Sequence, residues 1–230
     1  MKRVFHKLQG KEDFAKFLDS IADKFNITPN PLLSEEEYIS SLLLIDLIHT
    51  FLSKAKVKLP PSLNVLDAGA GHWPYAVPLY SYFCNGNGLC DVELHGIDVH
   101  GKKWQKDIVK QVENHNIHYH IGDIFDLNQR SAYDIVFFIH MFPPYRFREH
   151  GIPFRPYREL FAKTCDLLKK DGILFAIAYG APPEEYSFFN EVPSGCILTK
   201  GRYTKKEATL IDFILEKDTF HNNMVLIARK

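Results

Sequence analysis

Cysteine is scarce in this chain, and no two cysteines form a C-x-x-C pair. The four present, Cys84, Cys90, Cys165 and Cys196, suit neither a structural zinc knuckle nor a disulfide scaffold, and they fit a reducing compartment. Charge of one sign is missing as well. Lys+Arg number 28 and Asp+Glu 28, which removes the broad field expected of a nucleic-acid coat or a membrane-surface protein, although a local basic patch fits inside a zero total. No apolar run approaches the roughly 20 residues that span a bilayer; LLLIDLI at 42–48 is typical of the longest. The N-terminal MKRVFHKLQGKEDF holds no apolar core of a secretory signal, so a cytoplasmic chain without membrane contact is expected. The 11 histidines include no H-x-x-x-H or H-x-x-E-H pattern. They are expected to be scattered structural residues, with no metal site.

What is there divides into a helical start and an alternating remainder. Phe14, Phe17, Leu18, Ile21, Ala22 and Phe25 recur at helical spacing over 11–25. Ser34 and Glu37 form a capping-box pattern that opens a second helix near 35–55, apolar on several faces and so expected to pack against something large. LPPS at 59–62 stops it. From Asn64 strands and helices alternate. The strands are LNVLDAG, VELHGIDV, IHYHIGD, YDIVFFIHMF and ILFAIAYG; the helices start near Tyr75, over 102–114 and around Tyr157–Leu168, the last with Gly172 expected at its C′ position. Within ATLIDFILEKDTFHNNMVLIARK two strands flank a polar turn. The expected fold is α/β: a doubly wound, mostly parallel seven-stranded sheet with a C-terminal antiparallel hairpin. Residues 1–58 would form an N-terminal helical cap and 59–230 a Rossmann-like domain.

Ligands of such sheets bind at the carboxyl ends of the strands. There the first strand runs into NVLDAGAGHWPYA. Gly69 and Gly71 permit a tight turn and close approach to the backbone. The third glycine of a dinucleotide fingerprint is replaced by Pro74, and Asp67 at the entrance of the turn would repel a pyrophosphate. An acid there favours a ligand bearing an ammonium group. Asp98 ends the second strand, where a carboxylate accepts both hydroxyls of a ribose. Asp123 ends the third and can accept from an exocyclic amine, while Ile124 or Phe125 covers a purine face. Ammonium, ribose and adenine together describe S-adenosylmethionine.

VLDAGAG, GIDV, IGDIF and YDIVFFIHMF, in this order, resemble the successive motifs of class I S-adenosylmethionine-dependent methyltransferases over about residues 60–230. The resemblance implies that Asp67, Gly69 and Gly71 hold the methionine end, Asp98 the ribose, and Asp123 with Ile124 the adenine. Trp73 stands where many members carry a further glycine, so its ring is expected to narrow the methionine pocket. The acceptor site is expected beyond the fourth strand, in HMFPPYRFREHGIPFRPYRE. His140 and Tyr145 are the candidate proton acceptors, with His150 nearby. A small-molecule substrate is expected. Arg146, Arg148, Arg155 and Arg158, interleaved with aromatics, offer an RNA surface as the other reading, and VLDAGAGHWP with YDIVFFIHMFP is also similar to ribosomal RNA methyltransferases that confer aminoglycoside resistance. FPPY lacks the polar first residue of the N/D-P-P-Y signature of base amino-group methyltransferases. A catalytically silent binding or scaffold protein of the same fold is the alternative.

Overall fold

The computed structural model describes residues 12–86, 88, 91–113, 115–139, 156–178, 187–203 and 224–230. Helix α1, Glu12–Lys24, buries the stripe Phe14, Leu18, Ile21 and Ala22 that its periodicity demands. Helix α2, Glu35–Lys54, opens on the complete capping box: the Ser34 side chain accepts from the Glu37 N–H, and the Glu37 carboxylate accepts from the Ser34 N–H. Twelve of its side chains are buried, from Tyr38 to Leu52, so its all-round apolarity serves an interior position.

The sheet follows. Strand β1, Ser62–Ala68, leads through the glycine turn to helix α3, Ala76–Ser81, which continues as a wider turn over Tyr82–Gly86. Pro78 sits in the first turn of α3, where its missing N–H breaks no helical bond. Strand β2, Asp91–Asp98, is followed by α4, Gln105–Val112, then β3, Ile117–Ile121, and β4, Tyr133–Ile139. After the helix Tyr157–Leu167 come β5, Leu168–Ala178, the short helix Ser187–Asn190, β6, Ile197–Arg202, and β7, Met224–Arg229. The seven strands lie in the order β3-β2-β1-β4-β5-β7-β6. The first five pair in parallel, β7 runs antiparallel to β5, and β6 antiparallel to β7. This is the expected doubly wound sheet with its antiparallel C-terminal pair.

Both faces are clad. On one, α1, α2, α3 and α4 share a single apolar cluster with Leu63 and Val65 of β1, Leu94 of β2, Phe137 of β4, Phe175 of β5 and Ile227 of β7. On the other, Leu66, Ala68, Val136, Phe138, Leu174 and Ala176 meet Tyr157, Leu160, Phe188 and Phe189. The strict alternation Leu63, Val65, Asp67 against Leu66, Ala68 puts Asp67 on the face covered by the N-terminal helices.

Three sequence expectations need correcting. Helices do not separate every pair of parallel strands: between β3 and β4 there is only a 3-10 turn, Ile124–Asp126, because the polar stretch after it carries no apolar period. The helix before β5 stops at Leu167, where Leu168 becomes extended, and Gly172 is no helix C′ residue. It lies inside β5, at an excursion that shifts the register between Tyr133/Leu168 and Ile135/Ile173. The left-handed residue there is Asp171, φ +63°. Gly172 serves close packing instead, since a Cβ on it would stand 2.9 Å from the Lys169 carbonyl oxygen. Finally, β6 comes from ILTKGR, a segment not read as a strand; ATLIDFILEKD lies outside the described residues.

Candidate functional site

At the carboxyl edge, β1 and β2 run in register with Asp67 opposite Gly96 and Ala68 opposite Ile97. Gly69 and Gly71 both have left-handed backbones, φ +77° and +61°, which is what the expected tight turn requires. The Gly69 and Ala70 N–H groups both donate to the Ile97 carbonyl, at 2.8 and 3.2 Å, so the turn folds back over the end of β2.

Asp98 sits on the rim of this turn, half-buried. Its Oδ2 accepts from the Gly71 N–H at 3.0 Å and its Oδ1 from the His100 N–H at 2.7 Å. A carboxylate has about four acceptor positions, so these two bonds fix its orientation and leave capacity for a ligand. Asp123 follows β3. Its Oδ1 accepts from the Phe125 N–H at 3.0 Å, capping the turn that contains buried Ile124. Near the acids in the chain, Val99 and Ile121 expose apolar side chains to solvent, 37% and 43%. This edge thus presents two carboxylates, with exposed Ile121 paired across the strands with Asp98 and exposed Val99 following Asp98 in the chain.

Asp67 has a different environment. It is fully buried, and the Trp73 indole N–H donates to its Oδ2 at 2.8 Å. Its Oδ1 is enclosed, with no partner at hydrogen-bond geometry among the described residues. Burial pushes its pKa up to about 7, with the Asp98 charge adding to the rise and the Tyr75 and Trp73 side chains opposing it.

Trp73 does not turn outward. Its own backbone is left-handed, φ +51°, an unusual conformation for a bulky residue. Its ring is fully buried and lies against Gly96, where a Cβ would come within 2.6 Å of it. The Tyr119 ring is 5.8 Å away, and the Tyr119 hydroxyl donates to the Gly71 carbonyl at 2.6 Å. Burial and the charges of Asp98 and Asp67 hold the Tyr119 hydroxyl protonated far above its ordinary range. Asp67, Trp73, Tyr119, Gly71 and Asp98 are therefore one connected support beneath the glycine turn. The sequence carried a signal for it, a bulky residue at a glycine position, but not its direction.

His72, beside the turn, and Glu37 of α2 were not read from the sequence as a pair. His72 follows Gly71 and is exposed, with Nε2 3.6 Å from Glu37 Oε1 of α2. Its ring is 6.2 Å from that of Trp104, over which Lys103 places its ammonium at 4.0 Å.

His140 and Tyr145 lie outside the described residues, as do His150, Arg146, Arg148 and Arg155; Arg158 is exposed on the helix Tyr157–Leu167. Among the described residues, no group of three or more His, Cys, Asp or Glu is arranged to hold a metal ion, and no helix is long and apolar enough to cross a membrane. The histidines are less scattered than expected. His95, His118 and His120 stack in a row across β2 and β3 beside Glu93, with His95 Nδ1 and His120 Nε2 3.2 Å apart.

No family model matches the sequence, and no curated protein sequence matches it. Solved structures do. A candidate sarcosine dimethylglycine methyltransferase from Galdieria sulphuraria is similar at TM-score 0.54 and 11% identity, over 94% of this chain and 98% of that one. An S-adenosylmethionine-dependent methyltransferase from Mesorhizobium loti is similar at TM-score 0.51 and 13% identity, over 81% of this chain and all of that one, 100%. Coclaurine N-methyltransferase, bound to N-methylheliamine and SAH, gives TM-score 0.49 at 14% identity over 81% of this chain, which spans only 56% of it. At these identities the likeness is one of fold.

Proposed function

The chain has the class I S-adenosylmethionine-dependent methyltransferase fold, and from that premise we propose that it binds S-adenosylmethionine and transfers its methyl group to a small-molecule acceptor. The observation that carries the reading is the rim. Asp98 ends β2 and Asp123 follows β3, with Asp98 bonded to the left-handed glycine turn and Val99 and Ile121 exposed near the same strand ends. Two acids accept from ribose hydroxyls and an adenine amine, and apolar side chains receive the flat base. The residues present fit the nucleoside part of the cofactor. Asp67 is fully buried and bonded to Trp73, so as it stands its carboxylate is closed to a ligand atom.

When bound, the cofactor supplies a methyl group on a positive sulfur, reactive enough that positioning and dryness account for much of the acceleration. This chain's part is to orient. The Gly71 N–H and the His100 N–H aim Asp98, the Phe125 N–H aims Asp123, and Tyr119 holds the Gly71 carbonyl in place. The proton released by an acceptor amine or hydroxyl is assigned to His140 or Tyr145.

Titration calorimetry with S-adenosylmethionine and S-adenosylhomocysteine tests the reading. Saturable heat is expected for both, and Asp98→Asn should weaken both by about tenfold or more, the scale of one charged hydrogen-bond acceptor. No heat with either ligand at millimolar concentration would overturn it.

A further inference from the structure

The sealing of Asp67 raises the question of what meets the amino-acid end of the ligand. That end carries an ammonium and a carboxylate a few ångströms apart. Beneath the turn, among the described residues, Asp67 is wholly buried and bonded to Trp73, and the Tyr119 hydroxyl is committed to the Gly71 carbonyl. Above the turn the chemistry is complementary. Glu37 Oε2 is engaged by the Ser34 N–H and hydroxyl, both at 2.8 Å, which anchors the carboxylate on the first turn of α2. Its Oε1 is turned to the rim, 3.6 Å from His72 Nε2. That separation is beyond hydrogen-bond length and within ion-pair range, and an exposed pair of this kind is cheap to part.

We infer that Glu37 and His72 form the docking point for the amino-acid end of the cofactor, Glu37 accepting from the ammonium and the His72 imidazole donating to the carboxylate. The pair is an acid and a base side by side above the turn, and parting them would give each charge of a zwitterion one partner, so binding exchanges one weak contact for two. His72 is placed for this by the turn itself, as the residue next to Gly71, whose N–H is fixed by Asp98. Glu37 is placed by the capping box. The arrangement also gives the N-terminal helices a function: α2 brings one wall of the site. Trp104 lies beside His72, with the Lys103 ammonium over its ring.

The inference rests on the cofactor reading, and one experiment separates the two. Calorimetry compares S-adenosylhomocysteine with 5′-methylthioadenosine, which keeps adenine, ribose and sulfur and lacks the amino acid, on the wild type, Glu37→Gln and His72→Ala. Glutamine retains the capping box, and an unchanged melting temperature checks that α2 is intact. Each substitution is expected to weaken S-adenosylhomocysteine by about tenfold or more and to leave 5′-methylthioadenosine within about twofold. If the wild type binds both and the variants weaken both equally, or neither, the docking point is wrong while the cofactor reading stands. A wild type that binds neither ligand removes the cofactor reading and this inference with it.

Discussion

Asp67 and Asp98 stand on the same face of neighbouring strands, yet one is sealed and the other is not. Asp67 faces Trp73, Tyr75 and the apolar interior, and its pKa rises to about 7. Asp98, two residues beyond the Gly96 that pairs with Asp67, receives two backbone N–H groups and meets solvent. The difference shows how a glycine-rich turn can be built from above and below. The lower acid fixes a large ring that fills the space beneath the turn; the upper acid fixes the turn's own backbone and keeps acceptor capacity. The same carboxylate chemistry serves architecture at Asp67 and, on the function proposed above, is left for recognition at Asp98; burial separates the two.

Substitutions can break that contrast. The largest effect is expected from Trp73→Ala. It empties the space over Gly96 and strips Asp67 of its donor, so a loss of about 3–5 kcal/mol in urea unfolding is expected, the range for deleting a buried aromatic ring. Gly96→Ala comes next. Its Cβ would stand 2.6 Å from a buried ring, and overpacking of this kind costs about 1–3 kcal/mol; a neutral result would show the ring free to shift. Asp67→Asn is smaller in size but more informative. A carboxyl raised from 3.8 to about 7 in the folded state binds more protons folded than unfolded. Its favourable contribution is therefore full below pH ~4 and is lost as pH rises through about 7, on the order of a few kcal/mol in total. Asparagine does not titrate. The stability difference, variant minus wild type, should move in the variant's favour between pH 5 and pH 8, and parallel curves would show that Asp67 is not the sealed acid described.

Much of this architecture was legible in the sequence. Ser34 and Glu37 announced α2 because a capping box is a local pattern. Pro78 fixed the start of α3 because proline is tolerated only in a first turn. Five parallel strands followed from apolar runs at regular spacing. Where the reading failed, the deciding contact was non-local or the pattern was polar. ILTKGR forms edge strand β6 with two charges and a glycine, the kind of edge that protects against further pairing and looks least like a strand. Gly172 looked like a helix stop because the pairing of Leu168 with Tyr133 across the sheet cannot be seen in KKDG. At the site, the types and order of Asp67, Gly69, Gly71, Asp98 and Asp123 were readable. The inward turn of the Trp73 ring was not, since it depends on Gly96 leaving room on another strand. Glu37 was read for its helix cap alone; that a second oxygen faces His72 is a fact of packing between α2 and the turn.

The histidine row across β2 and β3 sharpens the comparison from the opposite sign, with the smallest effect. Burial lowers the pKa of His95 and His120, and the neighbouring His118 lowers both further, while Glu93 opposes the shift at His95. A histidine with a depressed folded pKa binds fewer protons folded than unfolded, so its contribution is intact above pH ~6.5 and is lost as pH falls below it. Asp67 gains stability over the same descent. The wild-type profile from pH 7.5 to 5 is thus a sum of opposed slopes, and the two regions can be unmixed. Asp67→Asn leaves the histidines alone and should steepen the loss on acidification. His118→Gln removes a like charge from both neighbours and should flatten it, an outcome readable from thermal melts at half-unit pH steps; equal profiles for His118→Gln and the wild type would mean that the stacked rings do not sense one another.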